Sequence, residues 1–178
     1  MIRSAVLVAL AAACWFSTPA VSAQQMETVD GLHLNLSDPA FSTVVIYSNQ
    51  TVQRQTRAAG QMFDPLQGKP RFRLVVVVDL RGSLANWAPG YTIRRIKRDL
   101  DQEAVRLQPF FRANGNSGNP RDSLFVVADF TGSICTELGW PRPLKQEQIL
   151  FFPRRGPRQL WKPPFNPEQL RTTIGASL

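Results

Sequence analysis

Few residues in this chain are equipped for chemistry. It has two cysteines, Cys14 and Cys135, and one histidine, His33. Cys14 falls in a stretch that reads as a targeting segment, so Cys135 is the single thiol expected in the processed chain. One thiol closes no intrachain disulfide, makes no dithiol redox pair and supplies no cysteine-based zinc cluster. A lone histidine is too little for a histidine metal site or a Ser-His-Asp triad. His33 lies on the polar phase of Gly31–Asn35 and reads as an exposed strand residue. No metal and no cofactor is expected.

The remaining candidates are polar residues at the ends of apolar runs. Asp79 and Asp129 each close such a run and open the same pattern: Asp, apolar, any residue, Gly, Ser, apolar. Paired carboxylates at strand ends suit acid-base work or a metal, because ligands gather there in open α/β sheets. The competing reading is that each Asp caps its own Asp-x-x-Gly turn. The repeated Gly-Ser at one offset favours the caps, and no third carboxylate or histidine stands at ligand spacing. Asn49, Gln50 and Thr51 follow the first core strand and form a further strand-end window. Trp87 and Trp140 each stand in the loop beyond one of the two turns, and each is followed closely by Pro. They line a shared pocket or close the end of a core.

Cys135 offers a single-cysteine redox or mixed-disulfide site. Otherwise it is a small apolar residue beside Ile134 and near Leu138. No Lys, Arg or His stands next to it in the sequence to lower its pKa. Arg94, Arg95, Lys97 and Arg98, with Arg81 nearby, are the densest basic run. A helix start there would hold an anion; alternatively the run is a solvated face. Arg154, Arg155 and Arg158 flank a turn and read as blunting an exposed edge. No aromatic-basic stacking motif points to nucleic acid.

The elements that must position these residues follow from hydrophobic patterning. Leu74–Val78 is apolar on both faces, as in a central strand of a covered parallel sheet, and Leu124–Asp129 repeats it. Thr43–Tyr47 is the first core strand. Ser48–Thr51 supplies capping side chains for a helix from about Val52 to Met62. Thr92 caps a second helix whose apolar stripe is Ile93, Ile96, Leu100, Ala104 and Leu107, with Pro109 ending or kinking it. A short helical turn is expected at Cys135–Leu138. Gln148–Phe152, the turn Pro153–Pro157 and Arg158–Trp161 make a hairpin. Asn166 and Pro167 open a closing helix with Leu170, Ile174 and Leu178 buried. Gly31–Leu36 alternates as a half-exposed edge strand.

The domain reading is a signal peptide over 1–23, an N-terminal approach segment with a short strand over 24–40, and one domain over 41–178. Arg3, the apolar Ala5–Phe16 and Val21-Ser22-Ala23 support the first part. A lipoprotein site at Cys14 is the competing reading, weakened by the lack of an aliphatic residue three before it. Formal charge is +8, about +7 without Arg3, which favours anionic surfaces without naming a partner. No stretch after the signal is long and apolar enough to span a bilayer.

The order of elements resembles the thioredoxin fold in its redoxin, or peroxiredoxin-like, elaboration, the AhpC/TSA and TlpA-type proteins. Three local matches carry the resemblance: Gly31–Asp38 with Val44–Asn49; Val126–Gly132 with Leu138-Gly139-Trp140; and Ile149–Gly156 into Gln159-Leu160-Trp161. It covers about residues 31–178. It implies an α/β three-layer sandwich, with a mixed sheet, a C-terminal β-hairpin and a closing helix. Where that family places Cys-x-x-Cys or a peroxidatic Cys, this chain has Ser48–Gln55, with no thiol. Lys145-Gln146-Glu147 occupies the approach where the family places a cis-proline. The chain looks most like exported bacterial proteins of this layout that lack the pair. The resemblance therefore implies a periplasmic or secreted domain without redox chemistry, acting as a binding or assembly module on an envelope protein. A single-cysteine accessory acting through Cys135 and an anion- or small-ligand-binding protein are the alternatives. Oligomeric state is left open.

Overall fold

The computed structural model describes residues 25–178. The expected signal peptide, its cleavage site and Cys14 lie outside the described residues. Five strands form one sheet: β3 (Ser42–Ser48), β4 (Phe72–Asp79), β5 (Leu124–Asp129), β6 (Ile149–Phe152) and β7 (Gln159–Trp161). Their order is β5-β4-β3-β6-β7. β4 runs parallel to β3 and to β5, while β6 and β7 are antiparallel additions. The β-branched runs end up where both faces are covered: every residue of β3 is buried.

The side chains of these strands alternate between two cores. Val45, Tyr47, Val75, Val77, Val127, Leu150 and Phe152 share one face with Cys135, Leu138 and Trp140. On the other face, Val44, Ile46, Ile149 and Phe151 pack on helices α1 (Gln53–Gln61) and α4 (Pro167–Gly175). Leu124 and Val126 pack on α2 (Pro89–Ala113) on that same side. The crossovers β3-α1-β4 and β4-α2-β5 step across the sheet in one direction, and a shared right hand puts both helices on one face. The opposite face is covered by the five-residue α3 (Ser133–Glu137) and by a two-stranded ribbon, β1 (Gln25–Glu27) with β2 (His33–Asn35).

Several expectations need correction. The Gly31–Leu36 strand does not join the main sheet as an edge; it pairs with β1, a strand too short and too polar to stand out in the sequence. Helix α2 starts at Pro89, and Thr92 is not its cap: the Thr92 hydroxyl donates to the Ala88 carbonyl at 3.2 Å inside the first turn. Proline at the first helical position needs no N–H there. The helix also runs through Pro109 to Ala113. Burial of Phe111 one turn-half later, with its Cα tight against Gly68, outweighs the hydrogen bond that the proline forgoes. Asn166 caps α4 as expected, accepting from the Glu168 and Gln169 amides.

Candidate functional site

The carboxyl ends of β3, β4 and β5 carry the densest polar network of the described core. It begins at Tyr47, whose pleat points it to the face shared with Trp140; the rings meet edge-on at 5.2 Å between centroids. The Tyr47 hydroxyl donates to Asp79 Oδ2 at 2.8 Å and accepts from Asn49 Nδ2 and the Leu144 amide, both at 2.9 Å. Burial pushes this phenol up to about 12, and the neighbouring Asp79 carboxylate adds to the rise.

Asn49 does two jobs. Its Oδ1 accepts the Thr51 and Val52 amides at 2.9 Å, satisfying donors ahead of α1. Its Nδ2 also donates to the Leu144 carbonyl. The neighbouring Gln50 and Thr51 are exposed.

Asp79 and Asp129 are direct neighbours in the parallel register, yet each is occupied locally. Arg81 grips Asp79 through Nε at 2.9 Å and a terminal nitrogen at 2.7 Å, and its backbone amide donates as well. Burial acts to raise the Asp79 pKa, but the Arg81 and Tyr47 hydrogen bonds outweigh it and hold the carboxyl below its usual range. Asp129 accepts the Gly132 and Cys135 amides at 2.7 Å. The turn-capping reading of both carboxylates therefore describes their geometry.

Arg81 is not part of a basic cluster. It folds back across the site and donates to the Pro141 and Trp140 carbonyls. It lies against Gly132, where an added Cβ would strike its Cδ. This arginine bridges the loops after β4 and α3, and its role was not visible in the sequence. The signal was there in one respect: Arg81 stands two residues after Asp79, the spacing that closes the bidentate pair.

Cys135 has no exposed surface. Burial, followed by the hydrogen bond and charge of Asp129 and then the charge of Asp79, pushes its thiol far above the ordinary range; the Arg81 charge opposes this weakly. Trp140 is also buried, with Nε1 donating to Gln148 Oε1 at 2.9 Å. Trp87 is 88% exposed, so the two tryptophans do not share a pocket. Trp140 closes the core, and Trp87 stands in solvent as the last residue of the 3-10 turn Leu84–Trp87.

Arg94, Arg95 and Arg98 are exposed, and Lys97 pairs with Asp30 at 3.4 Å. Since α2 begins at Pro89, these residues lie beyond its free N–H groups and do not form a site at the helix start. Arg154 reaches the Pro39 and Leu178 carbonyls, tying the chain end to the sheet rather than only blunting an edge. The cis peptide among the described residues is Pro163–Pro164, after the hairpin rather than before it.

The parallel β3-β4-β5 core, the terminal hairpin and the closing helix define a thioredoxin-like fold. Solved structures share it. MTB dsbF, in mixed oxidised and reduced forms, matches at 17% identity and a TM-score of 0.52, over 89% of this chain and all of that one. The pneumococcal exposed lipoprotein thioredoxin Etrx1 of Streptococcus pneumoniae matches at 13% identity and a TM-score of 0.54, over 85% of this chain and 97% of that one. At these identities the likeness establishes the fold alone. No family model matches the chain, and no curated protein matches it.

Proposed function

We propose that this chain is an exported, redoxin-like thioredoxin domain without a redox-active dithiol, serving as a protein-binding or assembly module of the cell envelope. One observation carries the reading. At the strand end leading into α1, where thioredoxin chemistry needs a thiolate at a helix N-terminus, stands the amide of Asn49, bound on both sides by its neighbours. The remaining thiol, Cys135, is sealed in the core. A polar network that is internally satisfied stiffens a strand-end platform rather than performing turnover.

Two assays test this. Purified protein with dithiothreitol should neither reduce insulin disulfides nor consume peroxide above the buffer rate; clear turnover in either removes the proposal. Partners captured from the envelope fraction should be the same for wild type and Cys135→Ala. Loss of every adduct in the variant would shift the function to a mixed disulfide at Cys135.

A further inference from the structure

The loop after β4 exposes three large apolar side chains in a row: Leu84 at 82%, Trp87 at 88% and Tyr91 at 62%. Leu84 and Trp87 are three apart in a 3-10 turn, so they share a face. Tyr91 follows in the first turn of α2, and Arg94, Arg95 and Arg98 continue from it at helical spacings of three, four and seven. All three arginines are exposed. Between Asp79 and Asp99 the sequence holds five basic residues and no acidic one. Of the five, Arg81 is turned inward onto Asp79 and Lys97 is paired with Asp30. The outward face is left apolar and aromatic at its tip and arginine-rich behind it.

We propose that this exposed Leu84–Trp87–Tyr91 tip, backed by Arg94, Arg95 and Arg98, docks the domain on an anionic lipid surface. Leu84 and Trp87 are more than four-fifths exposed and Tyr91 more than half, so these side chains suit insertion into an interface better than closure over a ligand. Tryptophan and tyrosine settle at the headgroup level, with an apolar body below and a polar tip above. The arginines supply attraction to anionic headgroups, in addition to the chain's overall positive charge. Neither contribution alone holds a protein firmly, and the pairing of the two does. The surface is separate from the Tyr47–Asp79–Arg81 network, so the inference stands whether or not the domain is redox-inert.

The experiment is co-sedimentation with large vesicles, either of phosphatidylcholine alone or of equal parts phosphatidylcholine and phosphatidylglycerol. Wild type should bind the anionic vesicles, release in high salt, and show Trp87 fluorescence shifted to the blue and shielded from acrylamide. Arg94→Gln/Arg95→Gln/Arg98→Gln should weaken binding about 100-fold, and Trp87→Ser at least about tenfold. Both variants alter exposed side chains, and unchanged thermal melts will verify their folding. Absence of sedimentation, equal binding to neutral vesicles, or binding undiminished in both variants overturns the proposal. So does a Trp87-dependent dimer in light scattering, which would make the tip a contact between copies. Trp87-dependent binding of poly-glutamate without vesicle binding would overturn it in favour of an acidic protein partner.

Discussion

Two opposite titrations meet at the Tyr47 hydroxyl. Burial raises this phenol to about 12, above its free value of about 10. A group raised on folding contributes fully below its unfolded pKa and loses that contribution as pH climbs through the folded one. Asp79 is the reverse case: lowered by Arg81 and Tyr47 against burial, it contributes above about pH 4 and fails as acid protonates it. Urea stability should therefore fall at both ends, between about pH 10 and 12 and below about pH 4. Tyr47→Phe should flatten the alkaline limb. It should also cost about 1–3 kcal/mol at neutral pH, since the Leu144 amide and Asn49 Nδ2 lose their acceptor. Asp79→Asn should make the acid limb shallower and cost about 3 kcal/mol, because the half-sheltered Arg81 charge loses its counterion. An alkaline limb unchanged in Tyr47→Phe would mean that another group controls it.

At the scale of elements, the two Asp-Gly-Ser turns look alike in sequence and differ in what surrounds them. Gly82 and Gly132 both have positive φ, at 68° and 83°. A Cβ at Gly82 would meet nothing within 4 Å, whereas at Gly132 it would strike the Arg81 side chain. Gly82→Ala should cost only backbone strain, about 1 kcal/mol. Gly132→Ala should cost about 3 kcal/mol or more, because it adds displacement of Arg81 from Asp79. Comparing their thermal midpoints, and the acid limb of Gly132→Ala, checks both. This contrast marks how far the sequence could be read. The strands Thr43–Tyr47, Arg73–Asp79 and Leu124–Asp129 were legible because valine runs bounded by turns have few other uses. The closing hairpin and the Asn166 cap were legible for the same local reason. The start of α2 was not: Pro89 competes with Thr92 as a start signal, and tertiary burial of Phe111 overrode Pro109. Of the site, the strand-end placement of Asn49, Asp79 and Asp129 was readable. The Arg81 bridge, the burial of Cys135 and the parting of Trp87 from Trp140 depend on how loops cross in space, which spacing along the chain does not encode.

For the whole molecule, the decisive contact is between the first described residues and the far side of the sheet. The β1–β2 ribbon covers the face that lacks a long helix, placing Met26, Leu34 and Leu36 in the core with Tyr47 and Trp140. It also shields an open edge, since the Val29 amide donates to the Val126 carbonyl of β5 at 2.8 Å. Two kinds of force hold it: Asp30 pairs with Arg121 at 2.7 Å and with Lys97 at 3.4 Å, and Leu36 is fully buried. The ion pairs are partly solvated on both sides, so Asp30→Asn should cost under about 1 kcal/mol. Leu36→Ala removes a buried side chain from a packed face and should cost about 3 kcal/mol. Urea midpoints at unchanged slope rank the two. Amide exchange at Val29 then tells whether the ribbon lifts as a unit. With Leu36→Ala its protection should drop along with that of its β1–β2 partners, while Asp30→Asn leaves it near wild type. The reverse ranking would mean that charge, not burial, fastens this layer to the sheet.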